Sequence, residues 1–189
     1  MTDFTLSTAF KTDPKRLAFA SARYLFVAKM LADMHSVVEV GAGDGVLSEI
    51  VQKSVTILQK TDLVPAGPSV CKHDFMAGRL LERHDAIYGL DVLEHVQPAL
   101  EDIFLGNIAR SLKLHGVCII GMPSWESQPY ASPISKAEHV NCKTEDELRK
   151  TMQRHFHCVY IFGMHDTTLT TAFGPMCQYR LALCNSPKL

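Results

Sequence analysis

The sequence lacks the features that most directly announce a function. It has no CxxC pair, and its six cysteines (71, 118, 142, 158, 177 and 184) show no metal or disulfide spacing. Several lie in apolar runs, such as Cys118 in VCIIG and Cys184 in LALC, which reads as reduced, buried thiols in a cytosolic (cytoplasmic) protein. No apolar run approaches the roughly 18 residues of a membrane span, so no membrane partner is expected. The opening MTDFTLSTAFKTD has neither a basic start nor a continuous apolar stretch, unlike a secretory signal. Charge is nearly balanced, with 19 Lys+Arg against 20 Asp+Glu, so nothing supplies a sequence-independent hold on nucleic acid. No repeat, low-complexity tract or linker interrupts the 189 residues. That length suits one compact domain, 1–189, with a single core.

What is present is an alternation of strand and helix patterns. Asp13-Pro14 opens a helix, with Leu17, Ala20, Tyr24, Ala28 and Leu31 at helical spacing to about Met34. Residues 1–35 therefore read as an N-terminal helical cap. Ser36–Val40 is a short β-branched strand, buried on both faces. A glycine turn follows, then a helix over Val46–Lys53. Val55–Thr61, Val70–His73 and Asp85–Leu90 read as the second, third and fourth strands. Leu100, Ile103, Phe104, Ile108 and Leu112 mark an amphipathic helix from Pro98 to Lys113, ended by His115-Gly116. Val117–Met122 is a fifth strand, stopped by Pro123, and 124–143 reads as irregular. Thr144 with Glu147 forms a capping-box pattern for a helix to about Arg154. His157–Met164 and Met176–Cys184 form a closing antiparallel pair. The expected fold is α/β with a largely parallel sheet.

The glycine turn, VVEVGAGDG over Val37–Gly45, narrows the ligand. A dinucleotide fingerprint, G-x-G-x-x-G, requires glycine where Val46 stands. A phosphate loop requires a Lys followed by Ser or Thr after its last glycine, and that pair is absent. Glu39, two residues before the turn, repels a pyrophosphate and accepts from a cationic amine. The ligand is therefore expected to be positively charged. Ligands in such sheets sit beyond the carboxyl ends of the strands. Acids gather at four of those ends: Glu39, Asp62, Asp74, and Asp91 with Glu94.

These residues resemble the class I S-adenosylmethionine (SAM)-dependent methyltransferases. The likeness covers nearly the whole chain, through VVEVGAGDG, HDAIYGLDVLEHV and LKLHGVCIIGMPS. It implies a seven-stranded Rossmann-like sheet, mostly parallel with an antiparallel last strand, and SAM as cofactor. By resemblance, Glu39 holds the methionine amine directly or through water. Gly41, Ala42 and Gly43 let the backbone approach the cofactor, and Asp62, with Leu63 beside it, takes the ribose hydroxyls. Asp74 accepts the adenine amine, with Phe75 offering a backbone N–H or a stacking face. Leu90 and Asp91 line the methionine side, and Arg16 or Arg23 reaches the SAM carboxylate. One departure stands out. Only residues 63–73 separate Asp62 from Asp74, and they include Pro65, Gly67 and Pro68. A parallel crossover normally takes a dozen or more residues, so the helix between strands 2 and 3 is expected to be shortened or missing.

DVLEHV and the distant KAEHVNCKTEDEL hold the candidates for chemistry. They are similar to the E-x-x-E-H motif with a later His in ubiquinone-pathway O-methyltransferases and small-RNA 2′-O-methyltransferases. There the motif holds a divalent metal that binds the acceptor oxygen. Here the candidate ligands are Asp91, Glu94, His95 and His139, a set that suits Mg²⁺, Mn²⁺ or Zn²⁺. Two other roles stay open: His95 or His139 as a metal-free base, and a packing or capping role as in metal-free relatives. Trp125, Tyr130 and SQPYASPISK, within 124–143, are expected to form an acceptor loop. N-P-P-Y-type base-presenting motifs are absent, as is a basic patch interleaved with aromatics. A small-molecule hydroxyl, on a sugar, a polysaccharide precursor or another metabolite, is the leading acceptor. The exposed sheet edge beside the short crossover leaves room for a homodimer.

The alternatives are a SAM-binding regulatory or partner protein without transferase activity and, below it, an NAD-dependent oxidoreductase. Titration calorimetry separates the last from the others. S-adenosylhomocysteine is expected to bind and NAD is not; saturable NAD binding without binding of the homocysteine form contradicts the reading of the turn.

Overall fold

The computed structural model describes residues 14–171 and 177–188. The expected Asp13 cap and the start of the last strand at Met176 lie outside these residues. Helix α1 spans Pro14–Met30 and leads into strand β1, Ser36–Val40. Asp33, at φ 65, takes the left-handed conformation and stops the helix short of Met34. Then follow α2 (Ser48–Gln52), β2 (Ile57–Asp62), β3 (Val70–Lys72) and β4 (His84–Leu90). After β4 come α3 (Glu101–Arg110), β5 (Leu112–Pro123), α4 (Pro133–Glu138) and α5 (Glu145–Gln153). Strands β6 (Phe156–His165), β7 (Thr168–Thr170) and β8 (Tyr179–Pro187) close the fold.

The strands form one sheet in the order β3-β2-β1-β4-β5-β8-β6-β7. The first five run parallel, and β8 enters antiparallel between β5 and β6. Seven strands were expected; the eighth is the three-residue β7, which hairpins onto β6. Neighbouring residues of β1 and β4 face opposite layers, as the two-residue period of a strand requires. Val38 and Ile87 pack with Phe104, Ile108, Met152 and Phe156 on one side. Val37, Ala86 and Tyr88 pack with Val27, Leu31 and Val51 on the other. The sheet is thus buried on both faces, which is why its central strands read as continuous apolar runs.

Three expectations are corrected. The helix expected over Pro98–Lys113 is a 3₁₀ turn, Pro98–Leu100, followed by α3, and Leu112 opens β5. Its end is sealed by Ser111, whose hydroxyl donates to the Asn107 carbonyl and accepts from Leu80 N–H, so His115-Gly116 lies inside the strand. Leu100 and Ile103, counted in the apolar stripe, are exposed. The 124–143 segment is ordered, with a 3₁₀ helix over Trp125–Tyr130 and α4. Ser124 and Ser132 cap them through their hydroxyls.

Two expectations hold closely. Thr144 and Glu147 make the reciprocal capping box of α5. No helix forms between β2 and β3, where residues 63–69 are a loop. Among the described residues no helix is long and apolar enough to cross a membrane.

Candidate active site

The parallel strands β1, β2 and β4 end at one edge of the sheet, and the glycine turn lies across it. Gly41, Gly43 and Gly45 have φ of 76°, 58° and 73°, a region that strains any side chain. A methyl group on Gly41 would collide with Val92, whereas nothing among the described residues lies within 4 Å of the position a Cβ would take on Gly43. The open space over Gly43 is what close backbone approach to a ligand requires. The turn is tied down from β2: the Gly41 and Ala42 N–H groups donate to the Thr61 carbonyl, at 2.9 and 3.0 Å. Gly43 N–H donates to Asp62 Oδ2 at 2.8 Å, and Val64 N–H to Asp62 Oδ1 at 2.9 Å. Each carboxylate oxygen keeps a lone pair for a further donor such as a diol. Leu63, beside it, is half exposed.

The loop that replaces the crossover helix folds back onto the turn. Ala66 N–H donates to the Gly43 carbonyl at 3.1 Å, and Gly67 lies too close to the Asp44 carbonyl to carry a side chain. Asp74 accepts from Met76 N–H at 2.8 Å through Oδ1 and makes a local turn. The stacking face expected of Phe75 does not exist. Its ring is 2% exposed, edge-on to His73 and Phe104, because a phenyl group here completes the core above α3. Leu90 and Ala42 are also buried.

Glu39 requires a second correction. It is 1% exposed and lies beneath the turn, so direct contact with a cofactor amine is closed. Tyr24 from α1 donates to Glu39 Oε1 at 2.7 Å. Burial raises the carboxyl above its usual range; the nearby Ser48, Tyr24 and Tyr88 hydroxyls and the Lys60 ammonium pull against that. Of the three hydroxyls only Tyr24 meets hydrogen-bond geometry.

Asp91, after β4, takes φ 57° and receives Arg23 NH1 on both oxygens, at 3.0 and 2.8 Å. The guanidinium lies over the Tyr179 ring, 3.7 Å from its centre. Burial disfavours its charge, but Asp91 outweighs burial and holds the arginine pKa above its usual value. Of the two arginines considered on this helix, Arg23 reaches the strand ends; Arg16 is exposed two turns earlier.

The metal-ligand expectation is corrected at Asp91 and sharpened elsewhere. Glu94, His95 and His139 place one ligand atom each within 4.8 Å of one another, and Asp91, held by Arg23, is not in that group. Glu94 is fully buried and, among the described residues, neither carboxylate oxygen has a hydrogen-bond partner. Burial, and then the Asp91 charge, pushes its carboxyl well above the usual carboxylate range. Both imidazoles are anchored through Nδ1: His95 to the Glu138 carbonyl and His139 to Gln128 Oε1, each at 3.1 Å. An Nδ1–H donated to an oxygen leaves Nε2 as a bare lone pair, the form a metal or a proton takes. Burial, and then His95, lowers the His139 pKa and favours the neutral ring. Cys142, close by, is no thiolate; burial and the Glu94 and Asp91 charges push it up to about 12.

His139 arrives there because its segment is latched to the 3₁₀ turn of DVLEH. Val140 and Asn141 N–H groups both donate to the Glu94 carbonyl, at 2.8 and 3.0 Å. Buried Glu101 braces the same segment, accepting from Asn141 and Lys143 on one oxygen and from Arg154 on the other. Beside His139 opens a cavity of about 550 Å³, within the range of small-molecule sites. Its walls include Glu126, Gln128, Tyr130 and Ser135 from the 124–143 segment, and Gln178. Residue spacing gave no signal for Gln128, Glu126 or the Glu101 brace.

No protein-family model matches the sequence, and no curated protein matches it. Solved structures do. The N-methyltransferase NodS from Bradyrhizobium japonicum WM9, solved with S-adenosylhomocysteine, superposes with a TM-score of 0.69 at 13% identity, over 95% of this chain and 91% of that one. The methyltransferase domain of bacterial CtHen1-C gives 0.70 at 13% identity, over 88% and 98%. The Burkholderia thailandensis 1,6-didemethyltoxoflavin-N1-methyltransferase, with that compound and S-adenosylhomocysteine bound, gives 0.70 at 17%, over 99% and 87%. The chain has the class I Rossmann-like methyltransferase fold.

An acid whose pKa is raised by folding lowers stability as pH rises above the unfolded value, because only the unfolded state then ionises freely. Glu94→Gln removes that penalty. It is expected to raise the melting temperature of metal-free protein at pH 8 by at least about 2–4 °C, the effect fading as pH falls toward about 4.3. Added Mn²⁺ or Zn²⁺ should raise the melting temperature of the unaltered protein and not of the variant. A Glu94→Gln protein less stable at pH 8, or equally stabilised by metal, contradicts this account of the cluster.

Proposed function

We propose that the chain is a SAM-dependent methyltransferase acting on a hydroxyl of a small molecule, with Glu94, His95 and His139 as a divalent-metal centre beside the acceptor. The observation that carries this reading is the buried, unpartnered Glu94 carboxylate next to two imidazoles whose Nδ1 atoms are already engaged. A fully buried carboxylate with no donor is costly unless a cation meets it. A carboxylate with two imidazoles is a donor set that borderline and hard divalent ions accept. The fold supplies the other half, since two of the structural neighbours were solved with S-adenosylhomocysteine.

The residues for the cofactor are those of the strand ends. The open face of Gly43 admits a ligand to the backbone, and the spare lone pairs of Asp62 suit the ribose diol. Arg23 and Asp91 present a cation and an anion side by side, a match for an amino-acid zwitterion. Glu39 acts from below, its charge and its bond to Tyr24 supporting the turn. Bound SAM supplies an already activated methyl group, so the chain must align and shield rather than activate it. A bound divalent ion supplies Lewis acidity that lowers the acceptor hydroxyl pKa.

The chain's own residues then have defined tasks. Gln128 and the Glu138 carbonyl fix the tautomers and ring planes of His139 and His95. The Glu101 brace holds the His139 segment, and the Glu94 carbonyl fixes it to the 3₁₀ turn. The lowered pKa of His139 keeps Nε2 unprotonated at neutral pH, as a ligand must be. That same property supports a second reading, in which His139 takes the hydroxyl proton with no metal. A non-catalytic SAM-binding role leaves the pre-oriented imidazoles and the cavity unused.

The test is turnover of labelled SAM with a metabolite extract as acceptor, before and after exhaustive chelation. Chelation is expected to abolish transfer and Mn²⁺, Mg²⁺ or Zn²⁺ to restore it. His139→Ala should lower restored activity by roughly 100-fold or more, at or above the usual cost of disturbing a metal site. Full turnover in metal-free protein sinks the metal and leaves His139 as the base.

A further inference from the structure

The cavity beside His139 has a wall that selects for charge. Glu126, on the 3₁₀ turn Trp125–Tyr130, lines it. Glu126 Oε1 accepts from Arg180 NH2 at 2.8 Å, and Arg180, on β8, is only 1% exposed. Glu126 Oε2 is buried and has no hydrogen-bond partner among the described residues. Arg180 also faces Glu145 at 3.6 Å, and Glu145 is paired with Arg149 at 2.9 Å. Two carboxylates and two guanidinium groups therefore balance. The cluster gives an entering cation or anion little net attraction. Among the described residues, no Lys or Arg lines the cavity. The other polar walls are hydroxyls and amides: Ser127, Gln128, Ser135 and Gln178.

We propose that Glu126, clamped by the buried Arg180, sets the acceptor class: an uncharged, hydroxyl-rich unit such as a pyranoside or furanoside, one of whose hydroxyls donates to the Glu126 carboxylate, with phosphorylated forms rejected. This rests on reading the cavity as the acceptor pocket. A sugar hydroxyl that reaches the Glu126 carboxylate makes a bond to a charged acceptor, which is among the stronger ones. A phosphate in the same place loses hydration and finds no Lys or Arg among the described lining residues to pair with. Gln128 joins the two halves of the site. It sits two residues from Glu126 and orients His139, so an acceptor held at Glu126 lies along the wall that ends at the candidate metal centre.

The experiment is ligand-observed NMR titration of protein saturated with S-adenosylhomocysteine. The probes are methyl riboside and methyl glucoside, each paired with its terminal phosphate ester. In the unaltered protein the neutral member of at least one pair is expected to bind tenfold or more tightly than its phosphate. Glu126→Gln, which still presents an oxygen to Arg180, should narrow that gap to below about threefold by weakening the neutral glycoside. Circular dichroism melting of the variant checks that the fold is kept; a variant that melts early leaves the decision to the paired comparison in unaltered protein. Phosphate esters binding as well as the neutral glycosides overturns the proposal. So does an unchanged gap in a folded variant, or no glycoside binding while S-adenosylhomocysteine binds. If S-adenosylhomocysteine itself fails to bind, the methyltransferase reading falls, and the glycoside comparison, run without it, still decides the role of Glu126.

Discussion

The Glu94 carbonyl accepts two N–H groups, from Val140 and Asn141, and much of the candidate chemistry depends on that junction. It joins the turn after β4 to a segment more than forty residues further along the chain, and so brings His139 to Glu94 and His95. Each bond is modest by itself. Glu101 adds the charged part of the latch: burial works against its ionisation, but Lys143, Asn141 and Arg154 hold the carboxyl below its usual range. Its contribution is therefore present above the ordinary carboxylate pKa and lost as pH falls through the folded value. The segment that positions His139 is held by groups that do not touch the reacting centre.

The electrostatics of the site divide its acids into satisfied and unsatisfied. Asp91 has Arg23, Asp62 has two backbone N–H groups, and Glu101 has four donor side chains, Asn141, Lys143, Thr151 and Arg154. Glu94 has none, although it is the most deeply buried of them. Both of its carboxylate oxygens lack a hydrogen-bond partner among the described residues, and this is the ground of the proposed cation site. Glu39 is an intermediate case, with one oxygen on Tyr24 and the other sealed under the turn. The same contrast recurs at Glu126, where Arg180 satisfies one oxygen and leaves the other.

Much of the fold was legible in the sequence because buried parallel strands leave a strong mark. SVVEV was placed to the residue, and the gap of 63–73 foretold the missing crossover helix. Errors fell where tertiary contacts override local pattern. Ser111 ends α3 through its hydroxyl, a job the sequence assigned to Gly116. The 124–143 segment, with two prolines and four serines, looked irregular, yet two of its serines are caps. At the site, the motif resemblance named Asp91, Glu94, His95 and His139 together, of which the last three lie grouped in the structure, but it did not give their state. Whether an acid is paired depends on partners far away in the chain: Arg23 claims Asp91 across 68 positions, and Arg180 claims Glu126 across 54. Burial likewise decided that Phe75 is core rather than a stacking face.

The central claim is that one edge of this sheet holds both a methyl donor and a divalent ion, with Glu94 between them. A crystal structure of protein grown with S-adenosylhomocysteine and Mn²⁺, with the metal located by anomalous scattering, tests it most directly. The account predicts the homocysteine cofactor on the Gly41–Gly45 turn with its ribose at Asp62, and a manganese peak bonded to Glu94 and to Nε2 of both His95 and His139. Cofactor in that position with no manganese at the cluster, and the Glu94 carboxylate still unpartnered, would contradict it.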